Sequence, residues 1–149
     1  MYPNRPNTGV NVDAQYRTML ILWFAFLMSI VMYFILSLFM PRPQETENRM
    51  LTILLSAFSA FLVVVSFAVK KKFLAQAIER QQVRLVSTGF ILAAAFCEAA
   101  GLIGLIDLLA ARDRYYVVLI AISFLGLLLH FPKRSHLEAA SFKSQFGLS

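Results

Sequence analysis

Residues 18–40 run for 23 amino acids without an Asp, Glu, Lys or Arg and end at Pro41, Arg42 and Pro43. A helix of that length is about 34 Å long, enough to cross a hydrocarbon layer of about 30 Å with some tilt. Three more apolar runs follow. Residues 50–69 stop at Lys70, Lys71 and Lys72; residues 85–111 are broken only by Glu98 and Asp107; residues 115–131 are closed by Pro132. The last is short at 17 residues, though its tyrosine-rich start and basic end suit two membrane interfaces. Composition agrees: 59% of the 149 residues are hydrophobic and 15% charged, against about 45–50% and 25% in soluble domains. This balance excludes a soluble enzyme domain, a disordered tail, a collagen-like fibre and a disulfide scaffold. The expectation is an all-α integral membrane four-helix bundle with spans at 18–40, 50–69, 85–111 and 115–131.

The distribution of basic residues gives an orientation. Arg5 and Arg17 precede the first run, Lys70, Lys71, Lys72, Arg80 and Arg84 separate the second from the third, and Lys133, Arg134 and Lys143 follow the fourth. The other two loops hold only Arg42, Arg49, Arg112 and Arg114. Positive charge stays on the cytoplasmic side, so both termini are expected there. Residues 1–17 read as a loose cytoplasmic tail with Asp13 as helix N-cap, and 70–84 as a cytoplasmic loop. That loop contains helix formers and no Gly or Pro, so the second helix can project beyond the membrane. Residues 132–149 read as a cytoplasmic or interfacial tail, in which Ala139, Phe142 and Phe146 give a weak interfacial-helix spacing. Arg112, Asp113 and Arg114 leave so little slack that the last two helices form a tight hairpin. The expected location is a multi-pass position in a membrane such as a bacterial inner membrane.

A net charge of +6 raises nucleic-acid binding in a soluble protein, but here the cations flank apolar runs, so no nucleic-acid partner is expected. Cys97 is the single cysteine, which excludes an intramolecular disulfide and reads as a small buried side chain. Neither a phosphate-cradling Gly-rich loop nor a metalloprotease HExxH occurs, so no catalytic residue is assigned. His130 and His136 flank Pro132 and are expected to be interfacial and solvated, leaving no metal ligand set and no cofactor. The expected partners are the lipid bilayer and other membrane subunits or further copies of the chain, with no soluble small-molecule substrate.

The third run carries the chemistry. Glu98 is 13 residues from either end, about 20 Å from each boundary and close to the bilayer midplane. An ionised carboxylate there costs at least about 2.5–3.5 kcal/mol, so Glu98 is expected to be protonated, paired or turned toward other helices. It is a candidate ion-binding carboxylate. The bland alternative is a neutral acid bonding a neighbouring helix, for instance through Ser56, Ser59 or Ser66. Asp107 lies about 6 Å below the boundary and about 180° around the helix from Glu98, so it reads as an interfacial acid, solvated or paired with Arg112 or Arg114. Ala93, Cys97, Ala100, Gly101 and Gly104 belong to the small residues that let helix backbones approach closely, in a stripe that also takes in Gly89 and Ala111. Glu98 falls off that stripe, on the face of Ile91, Ala94, Leu102, Leu105 and Leu109.

Phe96, Glu98, Gly101, Leu102, Gly104, Leu105 and Ile106 make residues 96–106 similar to the last, carboxylate-bearing helix of rotary ATPase proteolipids, the c-type rotor subunits, especially the vacuolar kind. The resemblance covers eleven residues and implies that Glu98 is a proton or cation carrier. Outside it the chain departs from that family. Residues 50–69 contain no glycine, where the rotor's companion helix carries a glycine run, and Phe58, Phe61 and Phe67 obstruct a narrow ring. Asp107 stands where the family pattern is apolar. Two functions are therefore expected: a non-enzymatic accessory or structural subunit of a larger membrane complex, or a proton- or cation-coupled component working through Glu98.

Overall fold

The computed structural model describes residues 11–40, 48–111 and 115–146, with side chains to Ser141. These residues form a helical bundle without a strand: α1 Val12–Phe39, α2 Arg49–Arg80, α3 Val83–Ile106, α4 Tyr116–Leu129 and α5 Arg134–Phe146, with a π-helical turn Asp107–Ala111 continuing α3. Three helices are long and apolar enough to cross a membrane; a fourth crossing is available if α4 and α5, bent by 46° at their junction, act as one broken span. The protein is thus a multi-pass helical bundle of membrane character.

The helices are longer than the apolar runs that announce them. α1 starts six residues before its run because Asn11, and not Asp13, is the N-cap, its side chain accepting the Ala14 N–H at 3.1 Å. Asp13 lies in the first turn, where a negative charge suits the helix dipole, and binds Arg134 at 3.0 Å. Residues 12–17 of the expected loose tail 1–17 are therefore helix, and residues 1–10 of it lie outside the described residues. α1 stops at Met40, whose extended backbone is what a following proline requires. α2 passes straight through Lys70, Lys71 and Lys72 to Arg80, so the expected loop over 70–84 shrinks to Gln81 and Gln82. Gln81 makes the reversal in the left-handed region at φ 50°, with its side-chain amide bonded to Ile78 O at 2.7 Å.

α3 is the axis of the bundle. It buries eleven of its 24 residues, whereas α1 buries four of 28, so α1 and α2 wrap α3 and leave their outer faces to lipid. Ile21, Phe39, Met50 and Val64 are more than 65% exposed, an apolar exterior that water does not tolerate. One core cluster joins Ile30, Ala94, Cys97, Ile120 and Leu127 within the bundle. A second, at the end where α1 begins and α2 ends, joins Met19, Ala77, Val86, Phe90, Leu137 and Ala140. α5 is therefore a packed helix whose buried face is Leu137, Ala140 and Ser141, while Ala139 of the expected interfacial spacing is exposed; the side chains of Phe142 and Phe146 lie outside the described residues. The linker expected to make the α3–α4 hairpin tight, residues 112–114, also lies outside them. The helices on either side of it do run antiparallel, since Gly104 meets Ile120 and Cys97 meets Gly126.

Candidate functional site

Glu98 is half-buried on α3, and its partners come from α1. Its Oε1 lies 2.5 Å from Ser29 Oγ and 2.9 Å from Tyr33 OH, and the two hydroxyls are 2.8 Å apart, each within hydrogen-bond distance of the other two. Ser29 and Tyr33 are one helical turn apart and so present their oxygens on one face of α1. The three oxygens form a triangle. Closing it with three hydrogen bonds needs three protons, and the hydroxyls supply two, so the ring closes fully only when Glu98 carries the third. In a water-free layer that form also avoids the cost of an ionised carboxylate. The arrangement clips α1 to α3 through one carboxyl oxygen and two hydroxyls.

The serines of α2 go elsewhere. Ser59 Oγ donates to Ala100 O at 3.4 Å and Ser66 Oγ to Val63 O at 2.6 Å, while Ser56 lines a groove with Thr52, Leu119 and Ile122. Glu98 thus bonds a neighbouring helix, but α1 and not α2. The missed signal lies in the first run itself, where Ser29, Tyr33 and Ser37 recur every four residues in an apolar stretch and mark one polar stripe.

Ala93, Cys97, Ala100, Gly101 and Gly104 are all buried on α3. A Cβ on Gly104 meets Ile120 at 2.9 Å and the Tyr116 carbonyl oxygen at 3.1 Å, and one on Gly101 meets Ser123 Oγ at 2.9 Å. Close approach of α4 is the reason these positions lack side chains. Cys97 joins a second polar group inside the bundle. Its thiol donates to Ser66 Oγ at 3.5 Å, and Ser66 Oγ lies 3.4 Å from His130 Nε2. His130 is fully buried, correcting the solvated position its neighbours Pro132 and Lys133 suggest. Its Nδ1 is 2.7 Å from the Gly126 carbonyl, which accepts only, so Nδ1 carries the proton and Nε2 faces Ser66 with a lone pair. His136 is half-buried on α5.

Asp107 opens the π-helical turn and is fully buried, not solvated; Arg112 and Arg114, its expected partners, lie outside the described residues. Among the described residues no three His, Cys, Asp or Glu side chains converge as a metal set. Compared with known protein families, characterised proteins and solved structures, the chain matches none.

Burial of Cys97 has a direct consequence. In the folded protein N-ethylmaleimide should modify it about tenfold or more slowly than after unfolding in dodecyl sulfate, because reaction requires an exposed thiolate. Equal rates, followed by mass spectrometry, are incompatible with this packing.

Proposed function

We propose that the chain is a non-enzymatic accessory or structural subunit of a larger membrane complex, crossing the bilayer four times with both ends in the cytoplasm. The observation that carries this reading is the Glu98–Ser29–Tyr33 ring. It uses the carboxylate midway along α3 as a joint between α1 and α3. The broad apolar exterior offers area for further subunits or further copies of the chain. Helical continuity of α2 past its lysines carries the end of that helix beyond the apolar layer, a second surface for assembly.

A second reading is kept because Glu98 is only half-buried: a proton- or cation-coupled component in which two hydroxyls and one carboxylate oxygen load and release the ion. Glu98→Gln separates the two. It keeps the length of the side chain, an accepting oxygen and an N–H donor, and removes the titrating proton. Purification in mild detergent, with partners identified by mass spectrometry, is expected to give the same partners for wild type and Glu98→Gln, with the activity of the assembly unchanged. Unchanged assembly with lost ion transport replaces the structural reading by the ion-coupled one. Recovery of the wild-type chain as a lone monomer sinks the accessory-subunit reading.

A further inference from the structure

At the end of the bundle where α2 leaves its apolar stretch, Lys70 faces the corner between α4 and α5. Lys70, Lys133 and His136 line one small hollow whose floor is apolar, including Met19, Phe90 and Pro132. No acidic side chain among the described residues lines it. Two acids of this end are engaged with another cation: Asp13 binds Arg134 at 3.0 Å and Glu138 binds it at 2.9 Å. Lys70 and Lys133 are close enough to repel each other, and both act on His136. Lys70 is half-buried, so this repulsion is less screened than between lysines standing free in water.

Two lysine ammoniums and an imidazole gathered round one hollow, with no carboxylate among its lining residues, make a place that an anion stabilises. We propose that Lys70, Lys133 and His136 form a binding site for the phosphate of one anionic phospholipid, at the junction of α2 with the α4–α5 corner. Position favours a lipid over free phosphate. Lys70 directly follows a 20-residue apolar run and Lys133 follows α4, so the cations stand at headgroup level, where basic pockets between helices recruit anionic lipids. The hollow is small and its floor is the buried cluster of Met19, Val86 and Phe90, so it receives a phosphate oxygen and leaves the rest of the lipid outside the bundle. The inference needs only membrane embedding and is independent of the role of Glu98.

The test is native mass spectrometry of the full chain released from mixed micelles containing phosphatidylglycerol and phosphatidylcholine. Wild type is expected to retain one phosphatidylglycerol in preference to phosphatidylcholine. Each lysine near a membrane surface contributes about fivefold, so Lys70→Gln with Lys133→Gln should lower that preference about 25-fold. Lys71→Gln with Lys72→Gln removes two charges from exposed neighbours on the same helix and should change it less than about threefold. Lys70→Arg with Lys133→Arg keeps the charges and should retain the lipid even if the glutamine pair disturbs packing. Equal losses in the two glutamine pairs overturn the site in favour of diffuse surface charge. No loss in the first pair, or no lipid on a folded arginine pair, also overturns it. Displacement of the lipid by equimolar inorganic phosphate overturns the choice of a lipid.

Discussion

Gly89→Val is expected to lower the stability of the folded bundle by about 2–3 kcal/mol, at the upper end of what overpacking costs. Gly89 lies one turn above Ala93 on the buried face of α3 and opposite Phe73 of α2. A Cβ added at Gly89 collides with the Phe73 Cβ, and the Phe73 Cα is only 3.7 Å away. A Cβ is fixed to the backbone and cannot rotate aside, so relief comes only from moving α2 and α3 apart. Their seam is the most extensive in the molecule, and it runs from the Gln81–Gln82 reversal to the Asn48 N–H that donates to Ala111 O at the far end. Separation at Gly89 therefore loosens packing over several turns. Reversible unfolding in mixed micelles, read by the fluorescence of Trp23, measures the loss; Trp23 is packed edge-on against Phe131 and donates to Leu127 O at 3.0 Å, so it reports on the bundle interior. Ala95→Val, on the exposed face of the same helix, is the control and should cost under about 0.5 kcal/mol. Equal effects at the two positions refute a tight α2–α3 seam.

The apolar runs made the bundle legible because a bilayer imposes length, and length survives without any alignment. Ends were less legible, since charge marks where the membrane stops and not where the helix stops. Lys70, Lys71 and Lys72 are good helix formers, and nothing breaks the chain until Gln81 adopts a left-handed backbone. The depth of Glu98 could be read from counting, but its partners could not be assigned the same way. Helices that are apolar all round carry little information about which face meets which neighbour, and hydroxyls recur at helical spacing both on α1, at Ser29, Tyr33 and Ser37, and on α2, at Thr52, Ser56 and Ser59, so spacing alone did not choose between them. His130 shows a different gap. Its position beside Pro132 and Lys133 argued for water, yet one backbone carbonyl four residues earlier turns the imidazole inward against Phe67, at a ring distance of 4.4 Å. Local hydrogen bonding of that kind has no periodic signature.

The largest effect at the candidate site should come from removing the donors and not the acid. Ser29→Ala with Tyr33→Phe deletes both hydroxyls that face Glu98 Oε1 and leaves its carboxyl in the bundle without them. A polar group kept from water by protein on one side and lipid on the other, once stripped of its partners, loses the bonds and keeps the desolvation cost, so this pair is expected to cost about 3–4 kcal/mol. Either single change leaves one donor and should cost about 1–2 kcal/mol. Glu98→Leu added to the pair removes the stranded acid and replaces it with an apolar side chain of similar volume. That triple variant should regain about 2 kcal/mol over the double, because nothing polar is then left unsatisfied. The sign of the coupling matters more than its size. An ordinary loss of packing predicts that each substitution adds to the damage, making the triple variant worse than the double. A ring of mutually dependent hydrogen bonds predicts that the last substitution repairs the first two, and only for a donor–acceptor set in contact. The same unfolding titration reads all of the variants. A triple variant no more stable than the double would mean that Glu98 is not held by Ser29 and Tyr33, and the joint between α1 and α3 would have to be sought elsewhere.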